Sequence, residues 1–143
     1  LTASPDDGRN PSAYVPELSR RARGFAVWAT LQALGRGGVR DMVLGHCRCA
    51  QHLAKRLNRE PGIHVLNDVV LNQVAVAFGH HGPNDELTEA VIESIKAENL
   101  HFVLGAKWRG QTILRISIVS VLTRTSDIDA LAESIVRAWL RHA

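Results

Sequence analysis

Apolar side chains recur every three or four positions through the first third of the chain. This spacing predicts two helices, at residues 17–34 and 39–58, each with one apolar stripe. Gly35 is predicted to be the C-cap of the first helix, and the pair Gly37-Gly38 to break the chain before the second, because glycine is a poor helix former. Residues 1–16 contain three prolines and are predicted to form an irregular arm.

The rest of the chain alternates between strand and helix patterns. Asn84 is predicted to cap a third helix, and Ser126 a last helix with Asp129 as a variant capping box. A tight turn at Arg109-Gly110 joins the last two strands. Four strands are predicted, at residues 63–66, 72–78, 101–108 and 111–119. The order predicts an α+β fold, in which an antiparallel sheet of about four strands has helices on one face.

Alternation in strand 111–119 gives the sheet a second, more polar face. Thr112, Leu114, Ile116 and Ile118 are expected to face the helices, whereas Ile113, Arg115, Ser117 and Val119 point the other way. In strand 72–78 the corresponding residues are Gln73, Ala75 and Ala77. Such a face is typical of a sheet that packs on another domain. Arg115 would there be either a salt-bridge partner or an anion ligand.

Charge and composition restrict the possible partners. Residues 20–59 contain nine Lys or Arg and one acid, but stacking aromatics are nearly absent, so a solvated or domain-docking helix face is favoured over nucleic-acid binding. No run of about 18 apolar residues is present, so no membrane span is expected. Cys47 and Cys49 cannot face each other on a helix, and two reduced thiols favour the cytoplasm.

The motifs of common active sites are missing. His46, Cys49 and His52 have near-helical spacing, yet no CxxC or HExxH accompanies them, so no metal site is predicted. The segment 35–38 could bind an anion before a helix, but an ordinary connection is favoured. Lys55, Lys96 and Lys107 follow Ala or Ile and are expected to be exposed, which is unsuitable for a Schiff-base lysine. We therefore predict no catalytic residue in this chain.

Several segments in order carry a family resemblance. They are ELSRRARGFAVWATLQAL, LGRGGVRDMV, PGIHVLNDVVLNQVAVAF and TILRISI, the last followed by a Thr-rich turn and Asp127. From Tyr14 onward the chain resembles the group II pyridoxal-phosphate (PLP) dependent amino-acid decarboxylases. The resemblance implies that residues 17–143 are the C-terminal small domain of a fold type I enzyme, and that residues 1–16 end its mobile catalytic loop region.

The same resemblance implies a homodimeric enzyme that releases CO2 from an L-amino acid. Its large domain holds PLP through a lysine that follows a histidine, and no lysine here does so. This segment alone is therefore expected to be inactive and to partner its own large domain. The alternative is a free-standing α+β ligand-binding or regulatory module without catalysis.

The resemblance also assigns candidate substrate-binding residues. Arg115 matches the small-domain arginine near the substrate carboxylate, and Ser19 matches a position lining the side-chain pocket. Arg20 and Arg21 either orient the cleft or form interdomain salt bridges. Residues 121–124 depart from the family pattern, which commonly has Trp or Asn and paired Thr there. The substrate amino acid is therefore left unassigned.

Overall fold

The computed structural model describes residues 21–143, which fall into two compact units divided after Gly37. The first unit contains the beginning of helix α1 (Arg23–Leu57). Gly35 has φ 59° and ψ −177°, which lie outside helical values. The break between two helical segments therefore occurs at Gly35, the predicted C-cap of the first helix, because glycine tolerates positive φ, whereas Gly37 and Gly38 lie within the helix.

The second unit contains the rest of α1 and a four-stranded sheet. Its further elements are β1 (Ile63–Val65), β2 (Gln73–Phe78), α2 (Asp85–Glu98), β3 (Leu104–Trp108), β4 (Gln111–Ser117) and α3 (Thr125–Leu140). The strands are ordered β1-β2-β4-β3 and every neighbouring pair is antiparallel. The predicted α+β fold with an antiparallel sheet is confirmed.

One hydrophobic core joins this sheet to the helices. Alternate residues of β2 and β4 enter it, together with apolar side chains of α1, α2 and α3. Its largest fully buried members are Leu53, Leu57, Val74, Val76, Phe78, Val91, Ile95, Leu114, Ile135 and Trp139. Ala75 is buried outside this core, as the alternation in β2 requires. The helices therefore cover one face of the sheet, as predicted.

Trp139 fastens α3 to the start of β1. Its indole N–H donates a hydrogen bond to the carbonyl of Pro61 at 2.9 Å, and its ring packs 5.8 Å from that of Phe78. Gly62 has φ 79°, and a Cβ built there would overlap the Trp139 ring. The close approach of backbone and indole therefore requires glycine at this position.

Several boundaries differ from the sequence prediction, most clearly at the start of the last helix and of β3. The last helix begins after Arg124, whose backbone N–H donates to Asp127 at 2.7 Å, so Ser126 lies inside the helix. β3 begins at Leu104 and not at residue 101, because the chain must first return from the end of α2 to the sheet edge. The predicted cap at Asn84 is confirmed, since its side chain accepts from the Leu87 N–H at 2.9 Å.

Candidate functional site

The sheet face opposite the core carries the candidate site. We call it the outer face, formed by alternate residues of the three strands β2, β4 and β3. Arg115 of β4 lies between Ala75 of β2 and Leu104 of β3. Ala75 is buried and Arg115 is exposed. Arg115 lies on the face opposite the helices, as the alternation of β4 predicts. The small side chain of Ala75 leaves space beside its guanidinium.

A cavity of about 320 Å³ opens on this face. Its apolar lining includes Ala75, Ala106 and Ile113, and Arg115 also lines it. The indole of Trp108 also lines the cavity, and the Arg109 guanidinium lies over this ring, 4.6 Å from its centroid. The remaining lining residues are Asn67, Gln73, Val74 and Lys107. The cavity therefore combines an apolar surface with a few hydrogen-bonding groups, as small-molecule sites do.

Side-chain amides hold the cavity edge in place. The side-chain oxygen of Asn67 accepts from the Ala75 N–H at 2.8 Å, and its side-chain nitrogen donates to the Gln73 backbone carbonyl at 3.1 Å. The side-chain amide of Asn72 donates to the Ile118 backbone carbonyl at 2.9 Å, and the backbone carbonyl of Asn72 accepts from the Ile118 N–H at 3.0 Å. These bonds fix the segment before β2 to the sheet and to the segment after β4.

The cationic groups around the cavity differ in their pairing. Lys107 donates to Asp85 at 2.8 Å, and this hydrogen bond lowers the pKa of Asp85 to about 2 and raises that of Lys107. Within residues 21–143, no carboxylate lies within ion-pair distance of Arg115. Lys107 is therefore neutralised by its partner, whereas Arg115 is available to an anionic ligand, as far as the described residues show.

The structure locates two of the four predicted substrate-binding residues. Arg115 lies on the outer face in the second unit, and Arg21 is exposed in the first unit, where its carbonyl accepts from the Arg23 N–H at 2.8 Å. Ser19 and Arg20 lie outside the described residues. Sequence reasoning did not single out Asn67 or Trp108, although the alternation of β3 could have placed Trp108 beside Ala106.

The lysines present do not fit a covalent PLP anchor. Lys55 is exposed, Lys96 donates to Glu93 at 2.8 Å and Lys107 is paired with Asp85. A Schiff-base lysine needs a lowered pKa, whereas the pKa of Lys107 is raised by its carboxylate partner. No step of a PLP reaction can therefore be derived from these side chains.

Two residues of the candidate metal motif, His52 and Cys49, have structural contacts within the second unit. His52 of α1 lies 2.6 Å from a carboxylate oxygen of Asp129 in α3, and Cys49 packs against the core. In the part of the chain that the structure describes, no three His, Cys, Asp or Glu side chains are grouped as metal ligands. Nor is any helix among residues 21–143 long and apolar enough to cross a bilayer.

Known proteins with similar sequences are decarboxylases and a related synthase. The chain is 26% identical over 113 residues to 3,4-dihydroxyphenylacetaldehyde synthase of Aedes aegypti, covering 79% of this chain and 21% of that protein. It is 27% identical over 112 residues to aromatic-L-amino-acid decarboxylase of Drosophila lebanonensis, covering 78% and 27% respectively. The chain is thus similar to a segment of proteins that include an aromatic-L-amino-acid decarboxylase. No family model matches it.

The fold agrees with this relationship to the decarboxylases. Tryptophan decarboxylase of Catharanthus roseus superposes with a TM-score of 0.73 at 12% identity, over 82% of this chain and 26% of that one. The chain thus spans about a quarter of the length of the decarboxylases that it matches in sequence and structure. The resemblance noted in the sequence is confirmed at the level of family and fold.

Proposed function

We propose that this chain is the C-terminal segment of a PLP-dependent decarboxylase that releases CO2 from an L-amino acid. The observation that carries the proposal is the alignment of 79% of this chain with 21% of a relative. The three lysines support a PLP-binding large domain outside this chain, because each is exposed. In this assignment residues 17–143 are the small domain, and residues 1–16 end the catalytic loop region.

Arg115 is the proposed contact for the substrate carboxylate. A guanidinium binds a carboxylate through two parallel N–H···O bonds, and the exposed Arg115 borders a cavity that can admit a ligand. The apolar side chains around it would form one wall of the substrate pocket. By the family resemblance, Ser19 is proposed to line the substrate side-chain pocket of the complete enzyme, and Arg20 and Arg21 to orient its cleft or to form interdomain salt bridges.

Exposed apolar side chains at one end of the sheet support a missing domain partner. The segments before β2, before β3 and after β4 meet at this end, because the three strands are antiparallel. Their exposed members, here called the apolar end, are Val70, Leu71, Leu100, Phe102, Leu104, Val119, Val121 and Leu122. Such a concentration marks an interaction surface. The large domain is the proposed partner.

The proposal extends to assembly and location. By analogy with the family, the complete protein is proposed to be a homodimer that needs no nucleic acid or membrane. Cys47 and Cys49 are both free thiols, which supports the reducing environment of the cytoplasm.

Borohydride reduction of the longer natural protein tests where the cofactor is attached. After reduction in the presence of PLP, peptide mass spectrometry is expected to find the adduct on a lysine outside this chain. An adduct on Lys55, Lys96 or Lys107 would contradict the proposal that a domain outside this chain holds PLP. Absence of any adduct from the longer protein would instead favour a ligand-binding module without catalysis.

A further inference from the structure

Two polar side chains lie next to Arg115 on the outer face. Gln73 of β2 is directly opposite Ser117 of β4, and the next pair along the same two strands is Ala75 opposite Arg115. Paired residues have Cβ atoms about 5 Å apart, and both pairs point to the same side of the sheet. Gln73, Arg115 and Ser117 are all exposed. They therefore form a continuous polar cluster in which Ala75 leaves a gap.

The cluster is rich in hydrogen-bond donors. Arg115 offers a fork of five N–H groups, Gln73 an amide NH2 and Ser117 a hydroxyl. No carboxylate belongs to the described outer face, where the paired positions are occupied by apolar, amide, hydroxyl and guanidinium groups. The nearby amide of Asn67 is already bonded to backbone groups and is not available. The arrangement is thus complementary to an anion.

We infer that Gln73 and Ser117 bind the same carboxylate as Arg115, so that three side chains from two neighbouring strands form one anion site. The guanidinium supplies the charge and the two-point contact. The amide and the hydroxyl donate to the remaining lone pairs of the carboxylate and fix its orientation above Ala75. Identification of this carboxylate with that of the substrate rests on the proposed function, whereas anion binding itself does not.

Asp68 is an acid in the segment that precedes β2. It lies with Gln73 along a second shallow depression, formed by residues 67, 68 and 70–73. A negative charge opposes anion binding through water when it lies within a Debye length, which is about 8 Å at physiological salt. Removal of the Asp68 charge is therefore expected to raise the anion affinity, whereas removal of a hydrogen-bond donor such as Gln73 should lower it.

Titration of the 143-residue chain with sodium acetate tests the inference by NMR. The side-chain N–H signals of Arg115 and Gln73 are expected to shift together and to saturate. Gln73→Leu and Ser117→Ala should each weaken acetate binding about three- to tenfold, the range for the net contribution of a typical hydrogen bond at an exposed site. Ser117→Thr, which keeps the hydroxyl, should restore binding, and Asp68→Asn should tighten it about twofold.

Arg59→Gln is the matched control, since it removes one exposed positive charge away from the sheet. It should leave acetate affinity unchanged. Equal affinities for wild type, Gln73→Leu and Ser117→Ala would overturn the inference, even if the longer protein proves to be a decarboxylase. Acetate binding with the expected variant effects, in a longer protein that releases no CO2, would instead retain the anion site and refute the proposed function.

Discussion

Arg115 of β4 and Ala75 of β2 are directly paired across the centre of the sheet. This pairing determines the shape of the candidate site, because the methyl group of Ala75 fills little of the space beside the long guanidinium side chain. A ligand that approaches Arg115 must occupy that space.

Ala75→Leu is expected to close the cavity from within the sheet. The larger side chain would stand beside Arg115 and compete with the carboxylate for room. We expect acetate affinity to fall about tenfold, equivalent to about 1.4 kcal/mol, and the free energy of unfolding to fall by about 1–3 kcal/mol because Ala75 is buried. Ala130→Leu, on an exposed part of α3, is the control for the added apolar surface. Unchanged acetate binding in Ala75→Leu would place the anion site elsewhere.

Gly62→Ala is expected to destabilise the fold by about 2–4 kcal/mol, because it combines positive φ with overlap between the new Cβ and Trp139. Gly110→Ala is its matched control: Gly110 has φ 83°, but a Cβ there meets nothing within 4 Å among the described residues. The control should cost only about 1 kcal/mol. Urea denaturation of both variants measures the difference, and equal losses would show that contact with the indole is unimportant.

The stability contributed by Asp85 is expected to depend on pH. Its folded-state pKa of about 2 lies below the ordinary value of 3.8, owing first to the hydrogen bond from Lys107. The ionised carboxylate therefore stabilises the fold above the ordinary pKa, and this contribution is lost as the pH falls towards 2. Wild type should exceed Asp85→Asn in Tm near pH 6, and the gap should close between pH 3.8 and about 2.

Glu86 provides the control for that pH dependence. It lies in the same first turn of α2 and is exposed. Glu86→Gln should therefore give a Tm close to that of wild type near pH 6. A gap between wild type and Asp85→Asn that persists unchanged at pH 2 would contradict the assigned role of the Asp85 carboxylate.

The apolar end should respond to charge without loss of stability. Leu71 is 64% exposed and Leu122 is 73% exposed, so the double variant Leu71→Glu/Leu122→Glu removes little buried area. We expect its Tm to match wild type, while binding of a hydrophobic dye and self-association at high concentration both decrease. A dye signal that does not change would argue that this end of the sheet is not a docking surface.

The alternation of residues 111–119 was sufficient to place Arg115 on the outer face, since side-chain direction in a strand follows from local geometry. The pairing of β2 with β4 was less accessible, because it joins residues far apart in sequence across α2 and β3. Consequently Gln73 and Ser117 could be assigned to a face separately, but not recognised as direct neighbours.

The cap of α3 shows a different limit. Ser126 has the side chain expected at an N-cap. The helix nevertheless begins at Thr125, because the Asp127 carboxylate accepts from the backbone N–H of Arg124. A backbone donor is available at any residue type, so the sequence around Ser126 permits several starting points. The role of Asn67 beside the cavity was also not predicted, because its side chain bonds to backbone groups, which every residue type has.

The most direct test is release of CO2 from L-amino acids by the longer natural protein supplied with PLP, measured beside its Arg115→Gln variant and the 143-residue chain alone. The account predicts CO2 release by the longer protein, about thirtyfold lower kcat/KM for Arg115→Gln with PLP still bound, and none from the isolated chain. CO2 release by the isolated chain, or kcat/KM unaffected by Arg115→Gln, would contradict it.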